Sequence, residues 1–231
     1  MKLKKLLPAL AAAGMLLTLG APASQVQAAK VKYKIVKHKQ TKYYPYSKIN
    51  YTYEQPVLKG KSSAIKKINN SLASAYKKNH KSFKKDGYSM AKYVSNLYDT
   101  DIDLYYYELA YQMAEVTQAH VYSGKKYVSV GYHRTDSAYQ AIHEWAEAAT
   151  YSLKTGKKVK LTNLIKGNKR TVQKKIYKAQ SKDNKSLLKY KSLDLNKLEF
   201  IVKGNKVYIT YHSAMYSYGG YTFLDPVKID K

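Results

Sequence analysis

Between Ser62 and Lys85 the apolar side chains Ile65, Ile68, Leu72, Tyr76 and Phe83 return at steps of three, four, four and seven residues. That period predicts an amphipathic helix with one buried stripe, and it leaves the lysines from Lys66 to Lys85 mostly on the outward side. Ser62 or Ser63 supplies the N-cap. Upstream, Tyr, Ile and Val are dense in Lys32–Val36 and Lys48–Tyr53, which read as strands punctuated by Pro45 and Pro56. Tyr88–Leu97 either extends the helix or forms a short second one. In Asp99–Tyr122, Glu, Ala, Met and Gln favour helix, whereas three consecutive tyrosines, Val116, Thr117 and Val121 favour strand. The partner Lys126–His133 is plainly β, and Ser123-Gly124-Lys125 is a turn that joins it to Ala119–Tyr122. At least the later half of the segment is therefore expected as strand.

The second half alternates again. Glu147–Leu153 is expected as a strand, Lys154-Thr155-Gly156-Lys157 as a tight turn with Gly at positive φ, and Lys158–Leu161 as the return. Asn168–Ser181 forms a second amphipathic helix on Val172, Ile176 and Ala179. Leu198–Tyr211 is a hairpin turning at Gly204-Asn205. The whole predicts an α+β protein. A small N-terminal sheet with an amphipathic helix, residues 29–97, precedes a larger antiparallel sheet with one main helix, residues 98–231.

Residues 1–28 fall outside that pattern. Lys2, Lys4 and Lys5 precede an apolar run from Leu6 to Leu19, and Val26-Gln27-Ala28 offers small residues for cleavage. The run is shorter than the ~20 residues of a membrane-spanning helix and contains Pro8. A signal peptide cleaved near Ala28 fits, so the protein is expected to be secreted, extracellular or wall-associated, with no transmembrane segment after cleavage. There is no cysteine in the 231 residues, which excludes disulfides, thiol catalysis and cysteine-based zinc sites. An exported chain without disulfides must stabilise itself by burial. This pattern is common in proteins exported by Gram-positive bacteria.

Charge changes the picture more. The formal net charge is +27, distributed unevenly. Residues 29–92 hold 17 basic and 2 acidic side chains, residues 97–150 hold 3 and 8, and residues 154–191 hold 14 and 1. Two basic blocks thus flank an acidic middle. Such a field attracts polyanions. Export removes nucleic acid from the expected partners and leaves anionic cell-wall polymers, peptidoglycan or a membrane surface. A solvated basic face that confers only solubility is the plainer alternative. Tyrosine is the other anomaly, 26 against 3 Phe and 1 Trp. Its ring can pack a half-wet strand or stack on a sugar.

Motifs for chemistry are incomplete. His143-Glu144-x-x-Glu147 lacks the second histidine of a zinc helix. Asp99-x-Asp101-x-Asp103 has Leu104 where a calcium loop turns on Gly, and Ala110 where a bidentate Glu belongs. No G-x-S-x-G exists, and pairs among Asp136, Glu144 and Glu147 are unspecific. No catalytic residue, metal ligand or cofactor is expected. A peptidoglycan-modifying hydrolase is the third reading, behind two binding functions.

Tyr151-Ser152-Leu153-Lys154-Thr155-Gly156-Lys157, followed by Val159-Lys160-Leu161-Thr162-Asn163-Leu164, resembles the extracellular domain of lysozyme-sensing anti-sigma factors of the RsiV type. The same domain accompanies the catalytic domain of PdaC-type peptidoglycan deacetylases. Phe200-Ile201, Val207-Tyr208-Ile209 and Tyr216-Ser217-Tyr218-Gly219 fit as well. Tyr43–Tyr53 and Ile65-Lys66-Lys67-Ile68-Asn69 resemble the domain that precedes it there. The likeness covers most of Val31–Asp230. Where the family often has Gly-Gly-Ala-His, this chain reads Gln140-Ala141-Ile142-His143-Glu144-Trp145 and keeps only the histidine. The resemblance implies a free-standing secreted module of unknown function without the deacetylase domain, and binding to lysozyme or another muramidase as an alternative.

Two candidate surfaces follow. Lys154, Lys157, Lys158 and Lys160 surround the Thr-Gly turn, and Lys169, Arg170, Lys174, Lys175 and Lys178 lie on the next helix. If helix and turn are neighbours, they form one polyanion-binding patch. His143, Trp145, Tyr216, Tyr218, Gly219 and Tyr221 are candidates for a partner groove, because the glycines of the tail would let a partner approach closely.

Overall fold

A computed structural model of the chain describes residues 31–44, 47–100, 112–138, 141–182, 185, 193–196, 198–212, 221–223 and 225–230. The strands β1 (Tyr33–Tyr44) and β2 (Ser47–Leu58) lead into a helix α1 (Ser63–Thr100). Next come β3 (Gln112–Ser123), β4 (Tyr127–Ala138) and β5 (Ala141–Ser152). A helical turn at Leu161–Asn163 precedes α2 (Lys169–Ala179). The chain ends with β6 (Glu199–Lys203), β7 (Lys206–His212), β8 (Tyr221–Phe223) and β9 (Val227–Lys228). The architecture is α+β, as the patterning predicts.

The first sheet has the order β1-β2-β3-β4-β5. All its pairs are antiparallel except β2–β3, which run parallel from Lys48↔Gln112 to Tyr53↔Thr117. A parallel neighbour needs a long crossover, and α1 supplies it. Strands from both segments that the sequence divides at residue 97 therefore lie in one sheet. Pro56 sits inside β2 rather than ending it. The parallel pairing has already stopped at Tyr53, so Pro56 has a strand on one side only and its missing N–H leaves no gap in the ladder.

Helix α1 crosses one face diagonally. Ser71 Oγ meets Tyr151 OH of β5 at 3.1 Å, Asn79 reaches β2 and β3, and His80 Nε2 meets Gln40 Oε1 of β1 at 2.9 Å. The expected stripe is the buried one. Ile65, Ile68, Leu72 and Phe83 pack on Ile49, Tyr51, Tyr53, Val128, Val130 and Tyr132. At α1's start Ser62 caps the Ile65 amide with its hydroxyl. Tyr88–Leu97 continues the same helix.

The second sheet, four strands in the order β6-β7-β8 with β9 on β7, holds a second core with α2. Two buried hydroxyls join the sheets. Ser129 Oγ and Thr150 Oγ1 lie 2.7 Å apart. Thr150 donates to the Phe200 carbonyl at 2.8 Å, and the Val202 amide donates to Ser129 at 2.9 Å. These bonds satisfy the free edge of β6, which would otherwise be buried unpaired. The return after the Thr-Gly turn is shorter than expected, a single bridge Tyr151↔Lys158. Leu161, Leu164 and Ile165 all enter the second core, and a helical turn presents that spacing where a strand would not. Ala179 is exposed instead of buried. The α2 face is completed by Gln173 and Gln180, which donate to the Leu193 and Asp225 carbonyls.

Candidate functional site

The Thr-Gly turn is built as its sequence predicts and positioned as it does not. Gly156 has φ 72° and is buried. Its amide donates to the Ser152 carbonyl at 2.8 Å, and a Cβ placed on it would meet Ala64 O at 2.6 Å and Lys67 Cβ at 2.8 Å. Glycine is required twice, by conformation and by contact with the first turn of α1. Lys154 and Lys157 thereby flank Lys67, and all three are exposed. Lys158 reaches Glu199 at 3.7 Å. Lys160 is exposed where the chain leaves the first core for the second.

Helix α2 packs in a different core from the turn. Val172 and Ile176 fix α2 in the second core, while the turn is seated on α1. Lys169, Arg170, Lys174 and Lys178 are exposed on α2. Lys175 is bound to Asp230 at 2.7 Å and to the Lys166 carbonyl at 3.0 Å. That ammonium and the Lys166 amide hold the Asp230 carboxyl below its ordinary range. The nine sequence candidates thus form two groups, one on each core.

Of the groove candidates, Tyr216, Tyr218 and Gly219 lie outside the described residues. Trp145 stacks under the Arg134 guanidinium, 4.3 Å from its centre, on the face that α1 covers. Tyr221 belongs to β8 of the second sheet, paired with His212. His143 pairs with Asp136 in the β4–β5 register.

A polar network that the sequence does not reveal lies beside Trp145. Glu115, 7% exposed, accepts from Asn79 Nδ2 at 2.8 Å and pairs with Arg134 Nη2 at 2.9 Å. The Tyr51 hydroxyl donates to Asn79 Oδ1 at 2.6 Å, and Glu147 stands 3.9 Å from Arg134 Nη1. A buried carboxylate needs such donors. Here they tie α1 to β2, β3 and β4. Burial drives the Tyr51 and Tyr132 hydroxyls far up, Glu115 adding to the effect at Tyr51 and Tyr53 at Tyr132, and pushes Tyr53 up to about 12. These phenols therefore stay neutral in the packed core, and that of Tyr51 is spent on Asn79. Register alone brings Glu115, Arg134 and Glu147 together, and no local motif marks it.

No family model matches the chain, and no curated protein matches it. Solved structures do. One is a DUF3298 family member from Bacteroides fragilis, with TM-score 0.55, 13% identity, and 86% of this chain and 90% of that chain covered. The chain shares its fold with DUF3298 proteins. Another, from Pseudomonas aeruginosa, has TM-score 0.51 and 11% identity, over 87% of this chain and 91% of that one. The likeness spans both sheets.

Proposed function

We propose that this protein is a secreted, non-catalytic binding module of the cell wall, held to anionic wall polymers by its lysines. Unquenched charge carries the reading. Between Lys66 and Lys92 the helix α1 has eight lysines and one acid, Asp86. All eight are exposed. None of the eight is ion-paired among the described residues. Isolated exposed ammonium groups contribute little to stability, but together they make a field of one sign that draws polyanions. The apparent signal peptide and the likeness to RsiV-type and PdaC-type extracellular domains support a wall location. Among the described residues no helix is long and apolar enough to cross a membrane.

The test is sedimentation with purified Gram-positive walls. Binding should fall steeply between low and high salt and disappear once teichoic acid is stripped. Binding that ignores both treatments contradicts the reading.

A second reading is a decoy or inhibitor of a cationic muramidase. It is favoured by Glu144 and Glu147, whose side chains are 57% and 54% exposed on opposite faces of the edge strand β5. Capture of lysozyme that is lost in Glu144→Gln/Glu147→Gln would support it over adhesion.

A further inference from the structure

The geometry points to one end of the first sheet as the polymer-binding surface, and to a chain of closely spaced phosphodiesters as the ligand. The inference rests on the adhesion reading above and adds its location and chemistry. Four chain segments are closed into a ring there by contacts of their own. Val31 N donates to Ser123 Oγ at 3.0 Å. In the neighbouring turn the Lys126 carbonyl accepts from Leu153 N at 2.9 Å. The Thr-Gly turn that follows Leu153 is seated on Ala64 and Lys67 of α1. Asn69, one turn on, clamps the Leu58 amide and carbonyl at 2.8 and 2.9 Å. Lys59 N returns to the Lys32 carbonyl at 2.7 Å, beside Val31.

Residues 31–32, 59–67, 123–126 and 153–157 make up this end. They number twenty, of which nine are lysines and none is acidic. Every one of the nine is exposed, and among the described residues none has a carboxylate partner. Lys158, bound to Glu199, marks where the unquenched surface stops. Adjacent strands lie about 4.8 Å apart, so neighbouring loops fall inside one Debye length, roughly 8 Å at physiological salt. Their fields therefore add. The start of α1 points its positive end at the same surface and has no acid in its first turn. Neither sequence candidate group describes this surface, because it is assembled from segments up to 126 residues apart.

The ligand chemistry follows from the type of cation. The end contains no arginine. Arginine's planar fork selects carboxylates and phosphates by two-point geometry, whereas an ammonium acts as a point charge in any orientation. Nine point charges on one end suit a flexible polymer with a phosphate in every repeat better than a single small anion. The α2 cations are spread along one helix, where Lys175 is already committed to Asp230 and the Lys166 carbonyl, and form no such ring.

The experiment uses the chain without its signal segment, labelled poly(glycerol phosphate) as probe, and fluorescence anisotropy in 50–300 mM salt. Two variants each lose four positive charges: Lys61→Gln/Lys67→Gln/Lys125→Gln/Lys154→Gln at the sheet end, and Lys169→Gln/Arg170→Gln/Lys174→Gln/Lys178→Gln on α2. All eight sites are exposed, and unchanged circular dichroism verifies folding. The sheet-end variant should bind at least tenfold more weakly at 100 mM salt, with a shallower salt dependence. The α2 variant should stay within threefold of wild type. Equal losses in both variants would overturn the inference while leaving adhesion intact, as would tighter binding to phosphatidylglycerol vesicles than to the polymer. Failure of the wild type to bind any wall polymer would instead remove the adhesion reading itself.

Discussion

At the scale of single residues, Gly156 and Glu115 bear the most testable weight. Gly156→Ala adds a Cβ where Ala64 O and Lys67 Cβ stand closer than 3.0 Å, at a positive φ that L side chains rarely adopt. A loss of about 1–3 kcal/mol is expected, read as a lower urea midpoint with the turn lifted from α1. Glu115→Ala removes the buried carboxylate that holds the Arg134 guanidinium at 2.9 Å and leaves only Glu147, at 3.9 Å, beside it. Breaking such a pair costs about 3–5 kcal/mol, whereas Lys37→Ala, which removes an ammonium that is 60% exposed, should cost less than about 1 kcal/mol. Equal costs for the two would contradict the burial argument. The turn glycine was legible in the sequence because Thr-Gly has a local conformational signature. The Glu115–Arg134 pair was not, since it depends on strand register across nineteen residues of chain.

Elements were legible wherever a period persisted. The α1 stripe, the β3–β4 turn at Ser123-Gly124-Lys125 and the β6–β7 hairpin follow from spacing alone. Strand lengths did not, because Thr41, Thr135 and Glu144 interrupt the apolar pattern at positions where the sheet pairs through backbone. The contact of α1 with β1 has a sign that can be checked. Burial first, then Lys84 on the helix and His38 on β1, lowers the His80 imidazole, while Glu115 from β3 opposes the shift. The Tyr51 and Tyr76 rings and the Gln40 amide complete its surroundings. The folded protein thus binds fewer protons here than the unfolded chain. Its contribution is present above the ordinary histidine range and is lost as pH falls through the lowered value. Denaturant midpoints should drop between pH 7.5 and 5, and His80→Gln should flatten that drop. Glu199 works in the opposite sense. Burial raises its carboxyl despite the Ala148 amide and Lys158, so stability from this group declines as pH rises from the ordinary carboxylate range. A His80→Gln profile unchanged from wild type would show that this contact is not what acid loosens.

For the molecule as a whole, the α+β class and the cationic character could be read from the sequence. The placement of charge could not. The chain lists Lys59, Lys125 and Lys154 far apart, and only the parallel β2–β3 pairing, the α1 crossover and the Thr-Gly turn bring their segments to one end. Proximity in sequence instead joins the Thr-Gly turn to α2, which the two cores separate. The most direct test of adhesion through clustered lysines is the slope of log affinity for teichoic-acid-bearing walls against log salt. Each released counterion contributes nearly one unit of slope on a highly charged polymer. A slope of about −4 or steeper is expected, reduced by roughly two or more in the sheet-end variant. A slope near zero, with binding intact, would contradict the account.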